Sequence, residues 1–128
     1  MRTLIVDDSK SIRMLLSRML RSFGHQVTES CHGGEALEIL NRGEPFDLAL
    51  FDWNMPVMNG YDLLKAVRAD EKFAPMRILM VTTETEVERF TAAIEAGASE
   101  YRMKPFSAEA LAAKLELIGI TSERGDAA

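Results

Sequence analysis

Several residues spread along the chain could act together on phosphorus. Asp7 and Asp8 stand side by side near the start, Asp52 precedes Trp53 in mid-chain, Thr82 and Thr83 form a hydroxyl pair, and Lys104 precedes Pro105. Three carboxylates gathered at one spot repel one another unless a cation joins them. An oxygen-only set with few protein ligands suits Mg²⁺ better than zinc or calcium, because it leaves positions for water and phosphate oxygens. A carboxylate can also attack phosphorus to give an aspartyl phosphate. Metal, ammonium and hydroxyl would then share the oxygens of the transferring group.

Each of these residues also has an ordinary structural use. An Asp after a strand often caps the next helix, which would account for Asp7 or Asp8 taken alone. Thr83 with Glu86 fits a T-x-x-E capping box, and Lys104 alone would be a solvated surface lysine. Asp52 is harder to place in this way, since the apolar run Leu48-Ala49-Leu50-Phe51 leads straight into it. What favours chemistry is convergence of the whole set, and convergence depends on the elements that carry it.

Those elements alternate. Short apolar or β-branched runs at 4–6, 26–30, 48–51, 77–81 and 100–103 predict five strands. Between them apolar residues fall at helical spacing. Ile12, Leu15, Leu16, Met19, Leu20 and Phe23 mark the first helix, and Ala36, Leu37 and Leu40 the second. Leu63, Leu64 and Val67 mark the third, Val87, Phe90 and Ile94 the fourth, and Leu111, Leu115 and Ile118 the fifth. Gly24, Gly43 and Gly97 supply stops. Strands alternating with helices imply an α/β fold, a doubly wound parallel sheet with helices on both faces, and continuous apolar strands agree with burial on both sides. In such sheets ligands bind beyond the carboxyl ends of the strands. Read that way, strand one ends in Asp7-Asp8, strand three in Asp52, strand four in Thr82-Thr83 and strand five in Lys104-Pro105. One edge therefore receives three carboxylates, hydroxyls and an ammonium.

Size and charge narrow the classes. The 128 residues suit one domain, expected over 1–118, with a small, polar segment 119–128 expected to fray. A net charge of −5 disfavours nucleic acid and anionic membrane as partners. A single cysteine, Cys31, excludes a disulfide framework, and no apolar run is long enough to span a bilayer. A soluble, cytoplasmic protein is expected. His25 and His32 read as surface or strand-end residues, Cys31 as an inert and partly buried one, and the eight methionines as core filler.

The motifs Val6-Asp7-Asp8-Ser9, Phe51-Asp52-Trp53-Asn54-Met55-Pro56 with Asn59-Gly60, Met80-Val81-Thr82-Thr83, Gly97-Ala98-Ser99-Glu100-Tyr101 and Lys104-Pro105-Phe106 occur in that order. Together they resemble the receiver domain of two-component response regulators, in its stand-alone CheY type, over about residues 3–118. The resemblance, rather than the periodicity, implies the strand order 2-1-3-4-5. It implies Asp52 as phosphoacceptor and Mg²⁺ as cofactor, bound by Asp7, Asp8, Asp52 and the backbone carbonyl of Asn54. Thr82 resembles the switch hydroxyl, Lys104 the conserved lysine and Tyr101 the aromatic switch, with a cis Lys104–Pro105 bond. Asn54 and Glu84 occupy the positions that tune dephosphorylation, and this pair matches the enteric chemotaxis regulator.

The implied partners are a sensor histidine kinase or histidine phosphotransfer protein, and a downstream protein on the face of the fourth helix, fifth strand and fifth helix. Chemotaxis is the first expectation. A phosphorelay intermediate or phosphate sink in a developmental or stress circuit is the alternative. The chain would not be an enzyme beyond catalysing its own phosphorylation and dephosphorylation. Ser9-Lys10, Thr83 and Arg102-Met103 depart from the enteric pattern, the last on the expected output face.

Two rivals are weaker. A flavodoxin would need a phosphate-cradling first loop, where Asp7-Asp8 would repel phosphate. A hydrolase with an aspartyl nucleophile usually carries a second acid two residues on, where this chain has Asn54.

Overall fold

Three apolar strands buried on both faces form the centre of the molecule's middle layer. The computed structural model describes residues 1–82, 87–103 and 107–120, with residues 87, 88 and 101–103 as backbone only. The strands are β1 (Arg2–Val6), β2 (Gln26–Ser30), β3 (Leu48–Asp52), β4 (Arg77–Thr82) and β5 (Glu100–Met103). The helices are α1 (Lys10–Ser22), α2 (Gly33–Asn41), α3 (Gly60–Arg68), α4 (Val87–Glu95) and α5 (Ala108–Leu117). All strand pairs are parallel, in the order β2-β1-β3-β4-β5. The expected fold and strand order are therefore present.

Alternation along the strands divides the core in two. Leu4, Val6, Ala49, Phe51, Ile78 and Met80 face a layer that includes α2 and α3, whereas Ile5, Leu48, Leu50, Leu79 and Val81 face residues of α1 and α5. The register pairs Val6 with Phe51, Phe51 with Met80, and Thr82 with Met103. The strands thus end nearly level, which is why Asp7, Asp52 and Thr82 emerge at one edge.

The opposite, amino edge is tied by Arg68. Its Nε donates to the carbonyl of Gly97 at 2.9 Å, Nη1 to that of Phe73 at 2.9 Å and Nη2 to that of Met76 at 2.7 Å. Burial first, and the nearby Arg77 charge second, hold its pKa below the ordinary arginine value. Gly97 has φ +105° and a Cβ there would stand 2.9 Å from Arg68 Cγ, so both the turn and the clamp require glycine. A cavity of about 560 Å³ lies at this same end, lined by residues including Phe46, Phe73, Met76 and Ile120.

Several expectations change. Leu15, read as a core position of the first helix, is 44% exposed. His25 is not a surface residue: it is buried, with Nδ1 2.8 Å from Thr3 Oγ1. Cys31 is exposed rather than partly buried. Met55, Met76 and Met80 are buried, but Met14 lies on the surface. The segment expected to fray starts too early in that reading. Gly119 turns with φ +87°, and Ile120 donates to the carbonyl of Leu115 at 2.8 Å and packs into the α1–α5 core. Residues 121–128 lie outside the described residues. Among the described residues, no helix is long and apolar enough to cross a membrane.

Candidate functional site

Strand β1 hands the chain to Asp7 while still paired, because Asp7 donates its backbone N–H to the carbonyl of Ser30 at 3.1 Å. The carboxylate then turns back and its Oδ1 accepts the N–H of Ser9 at 2.8 Å. Arg13 fixes the same residue from α1, donating from Nη1 to the Asp7 carbonyl at 2.6 Å and lying 3.5 Å from Glu29. Ser9, and neither aspartate, caps α1 through its hydroxyl. The capping explanation for Asp7 and Asp8 therefore does not hold for this helix.

One oxygen from each of Asp7, Asp8 and Asp52 lies within 4.8 Å of the others. Asp7 and Asp52 are buried and Asp8 is exposed. Two carboxylate charges at such a distance repel by roughly 3–4 kcal/mol at an effective dielectric of about 20. The donors are all hard oxygens, two set in protein and one open to solvent. They fit a small divalent cation that keeps part of its water shell. A second group, Cys31, His32 and Glu35, also comes within that span. There His32 Nδ1 caps α2 by accepting the Glu35 N–H at 3.1 Å, and Glu35 accepts the Cys31 N–H at 3.2 Å. Helix capping accounts for that group.

The loop after β3 is built tightly around Asp52. Trp53 donates its N–H to the carbonyl of Val81 at 3.0 Å, and Gly60 donates to the carbonyl of Trp53 at 2.9 Å. A side chain at Gly60 would overlap the Asp52 carbonyl, so only glycine lets α3 start this close to the phosphoacceptor candidate. Asn59 caps α3 by accepting the Asp62 N–H at 2.8 Å. Between them Val57 has φ 69° and is fully exposed.

Trp53 is buried and stacks on Tyr61, with ring centroids 5.1 Å apart and planes 5° from parallel. Asn54 is exposed, and its Oδ1 accepts from Arg89 Nη1 at 3.2 Å. Thr82 is completely buried at the end of β4, the strand beside β3.

Asp7, Asp8 and Asp52 are thus brought together, with Thr82 ending the neighbouring strand and Asn54 two residues beyond Asp52. Tyr101 pairs with Met80 in the backbone ladder, and its side chain is outside the described set. Lys104, the Lys104–Pro105 bond, Glu84 and the Thr83/Glu86 box also lie outside the described residues. Sequence reasoning missed Arg13, Tyr61 and Arg89. Arg89 and Asn54 are 35 residues apart, so their contact depends on where α4 docks and leaves no local pattern.

A family model described as the response regulator receiver domain matches residues 3–116. A "Chemotaxis protein CheY homolog" of Campylobacter jejuni is 42% identical over 129 residues, spanning 99% of this chain and 99% of that one. The "Chemotaxis protein CheY" of Pseudomonas aeruginosa is 44% identical over 119 residues, 92% of this chain and 95% of its own length. Among solved structures, Vibrio cholerae chemotaxis protein CheY4 superposes with a TM-score of 0.86 at 38% identity, covering 91% of this chain and 97% of that one.

Proposed function

The chain belongs to the response regulator receiver domain family, a signalling rather than an enzymatic class, and from that premise we propose that it accepts a phosphoryl group on Asp52. The donor is a histidine kinase or a histidine phosphotransfer protein. The output is phosphorylation-dependent binding to another protein, in a chemotaxis pathway like those for which its relatives are named. The protein would work in the cytoplasm. One observation supports this reading above the others: three carboxylates converge at the carboxyl edge of the sheet, two of them buried.

Asp7, Asp8, Asp52 and the backbone carbonyl of Asn54 would hold Mg²⁺, which when bound offsets the carboxylate charge and that of the incoming phosphoryl oxygens. Asp7, held by the Ser9 N–H and through its carbonyl by Arg13, would bind the ion largely through water, and Asp8 directly. Asp8 is the solvent-facing one. An Asp52 oxygen attacks phosphorus, its O–P bond forms as the donor's N–P bond breaks, and the leaving imidazole takes up a proton. Thr82 and Lys104 supply hydroxyl and ammonium donors to the dianionic group. The inward pull on Thr82 vacates space for the Tyr101 ring, which changes the face offered to a partner. Asn54 and Glu84 set how long the phosphoryl group lasts.

Incubation with a small acyl phosphate and Mg²⁺ should add one phosphoryl group by intact mass. Asp52→Asn should abolish it. Full labelling of Asp52→Asn would refute the assignment.

A further inference from the structure

Arg89, in the first turn of α4, makes two contacts that the proposed phosphotransfer does not use. Its guanidinium carbon lies 5.0 Å from the Trp53 ring centroid, and its Nη1 donates to Asn54 Oδ1 at 3.2 Å. Trp53 and Asn54 are the two residues that directly follow Asp52. The two differ in how well they are anchored. Trp53 is buried, stacked on Tyr61 and bonded through its N–H to Val81. Asn54 is exposed. The indole therefore fixes the guanidinium by a cation–π contact, and the fixed guanidinium holds the Asn54 amide.

We propose that Arg89 is a positioning residue that pins the Asn54 side chain beside Asp52 and thereby slows both arrival and loss of the phosphoryl group. The proposal rests on the reading of Asp52 as phosphoacceptor. Hydrolysis of an aspartyl phosphate requires water to approach phosphorus from the solvent side, opposite the Asp52 oxygen. A small acyl-phosphate donor must use the same approach when it loads the site. An amide tied from the β3–α3 loop across to α4 narrows that approach for both. Freeing it should accelerate both steps by a similar factor, a signature that damage to the carboxylates would not give, because damage slows loading.

The test compares wild type, Arg89→Ala, Arg89→Lys, Asn54→Ala and the Arg89→Ala/Asn54→Ala double variant. Loading by acetyl phosphate with Mg²⁺, and decay after the donor is removed, are followed by intact mass. Trp53 emission reports loss of the guanidinium contact. Arg89→Ala should load and decay roughly fivefold faster, the rate equivalent of one hydrogen bond. Arg89→Lys should fall between it and wild type. In the Asn54→Ala background the Arg89→Ala change should have no further effect. Decay of Arg89→Ala at or below the wild-type rate, or a full acceleration that persists without Asn54, overturns the inference while leaving Asp52 as phosphoacceptor. Failure of the wild type to label at all overturns that functional reading and this inference with it.

Discussion

The two ends of the sheet solve opposite problems. At the amino end, one arginine satisfies three backbone carbonyls, two from the turn before β4 and one from the turn before β5, with its Nε and both terminal nitrogens donating. At the carboxyl end, three carboxylates share one spot, and the loop beside them holds a valine in the left-handed region. The first end is complete within the chain. The second gathers like charge, with two of its three carboxylates buried. Like charge is thus gathered at the site, an arrangement that a bound cation would relieve.

Removing the clamp should have the largest effect on this contrast. Arg68→Ala should lose about 3 kcal/mol of unfolding free energy, because three carbonyls, two of them part-buried, lose a charged donor. Arg68→Lys should recover less than half, since one ammonium cannot span Gly97, Phe73 and Met76. Urea denaturation measures both. A loss below about 1 kcal/mol would mean that the amino end is not held in this way.

At the other end the sign should reverse. Without divalent cation, Asp8→Ala should stabilise the protein by about 1 kcal/mol, and added salt should shrink the gain because Asp8 is exposed. With saturating Mg²⁺ the wild type should recover its relative stability through binding. Asp7→Ala should gain less than Asp8→Ala, since it also gives up the Ser9 N–H bond. Thermal melts with and without Mg²⁺ decide this, and equal losses in both variants would contradict it.

The smallest effect is expected at Val57. Its side chain is fully exposed, so replacing it forfeits no packing. A β-branched residue at φ 69° is strained, whereas glycine is not. After the greater unfolded-state freedom of glycine is allowed for, Val57→Gly should stabilise by about 0.5 kcal/mol. A lower melting temperature would contradict the strain.

The sequence reveals the site and hides what supports it, for one physical reason. Strand-end positions follow from a period of two and from parallel pairing, so Asp7, Asp52 and Thr82 could be placed at one edge from local patterns alone. The α/β class was legible in the same way, whereas the strand order followed from the family resemblance. Arg68 and Arg89 were not, since a long side chain can reach many carbonyls and only tertiary docking selects which. Burial of single residues was equally hidden. Asp7 and Asp8 are adjacent and chemically identical, yet one is buried and the other exposed. The burial of His25 was hidden because its partner Thr3 lies on β1, 22 residues away.

The strand order carries a consequence for how the protein is made. β1 sits between β2 and β3, and the backbone of Arg2 is bonded to the side chain of Asp47, 45 residues further on. A ribosome adds about 5–20 residues per second. The apolar segment Leu4-Ile5-Val6 must therefore wait on the order of seconds for its inner neighbour to be synthesised. During that interval β2 is its available sheet partner, and α1, with Leu16 and Leu20, covers the Ile5 face. The β1–α1–β2 unit thus shields one face of β1 before β3 can pair with it, and the Leu4 and Val6 face waits for α2 and α3.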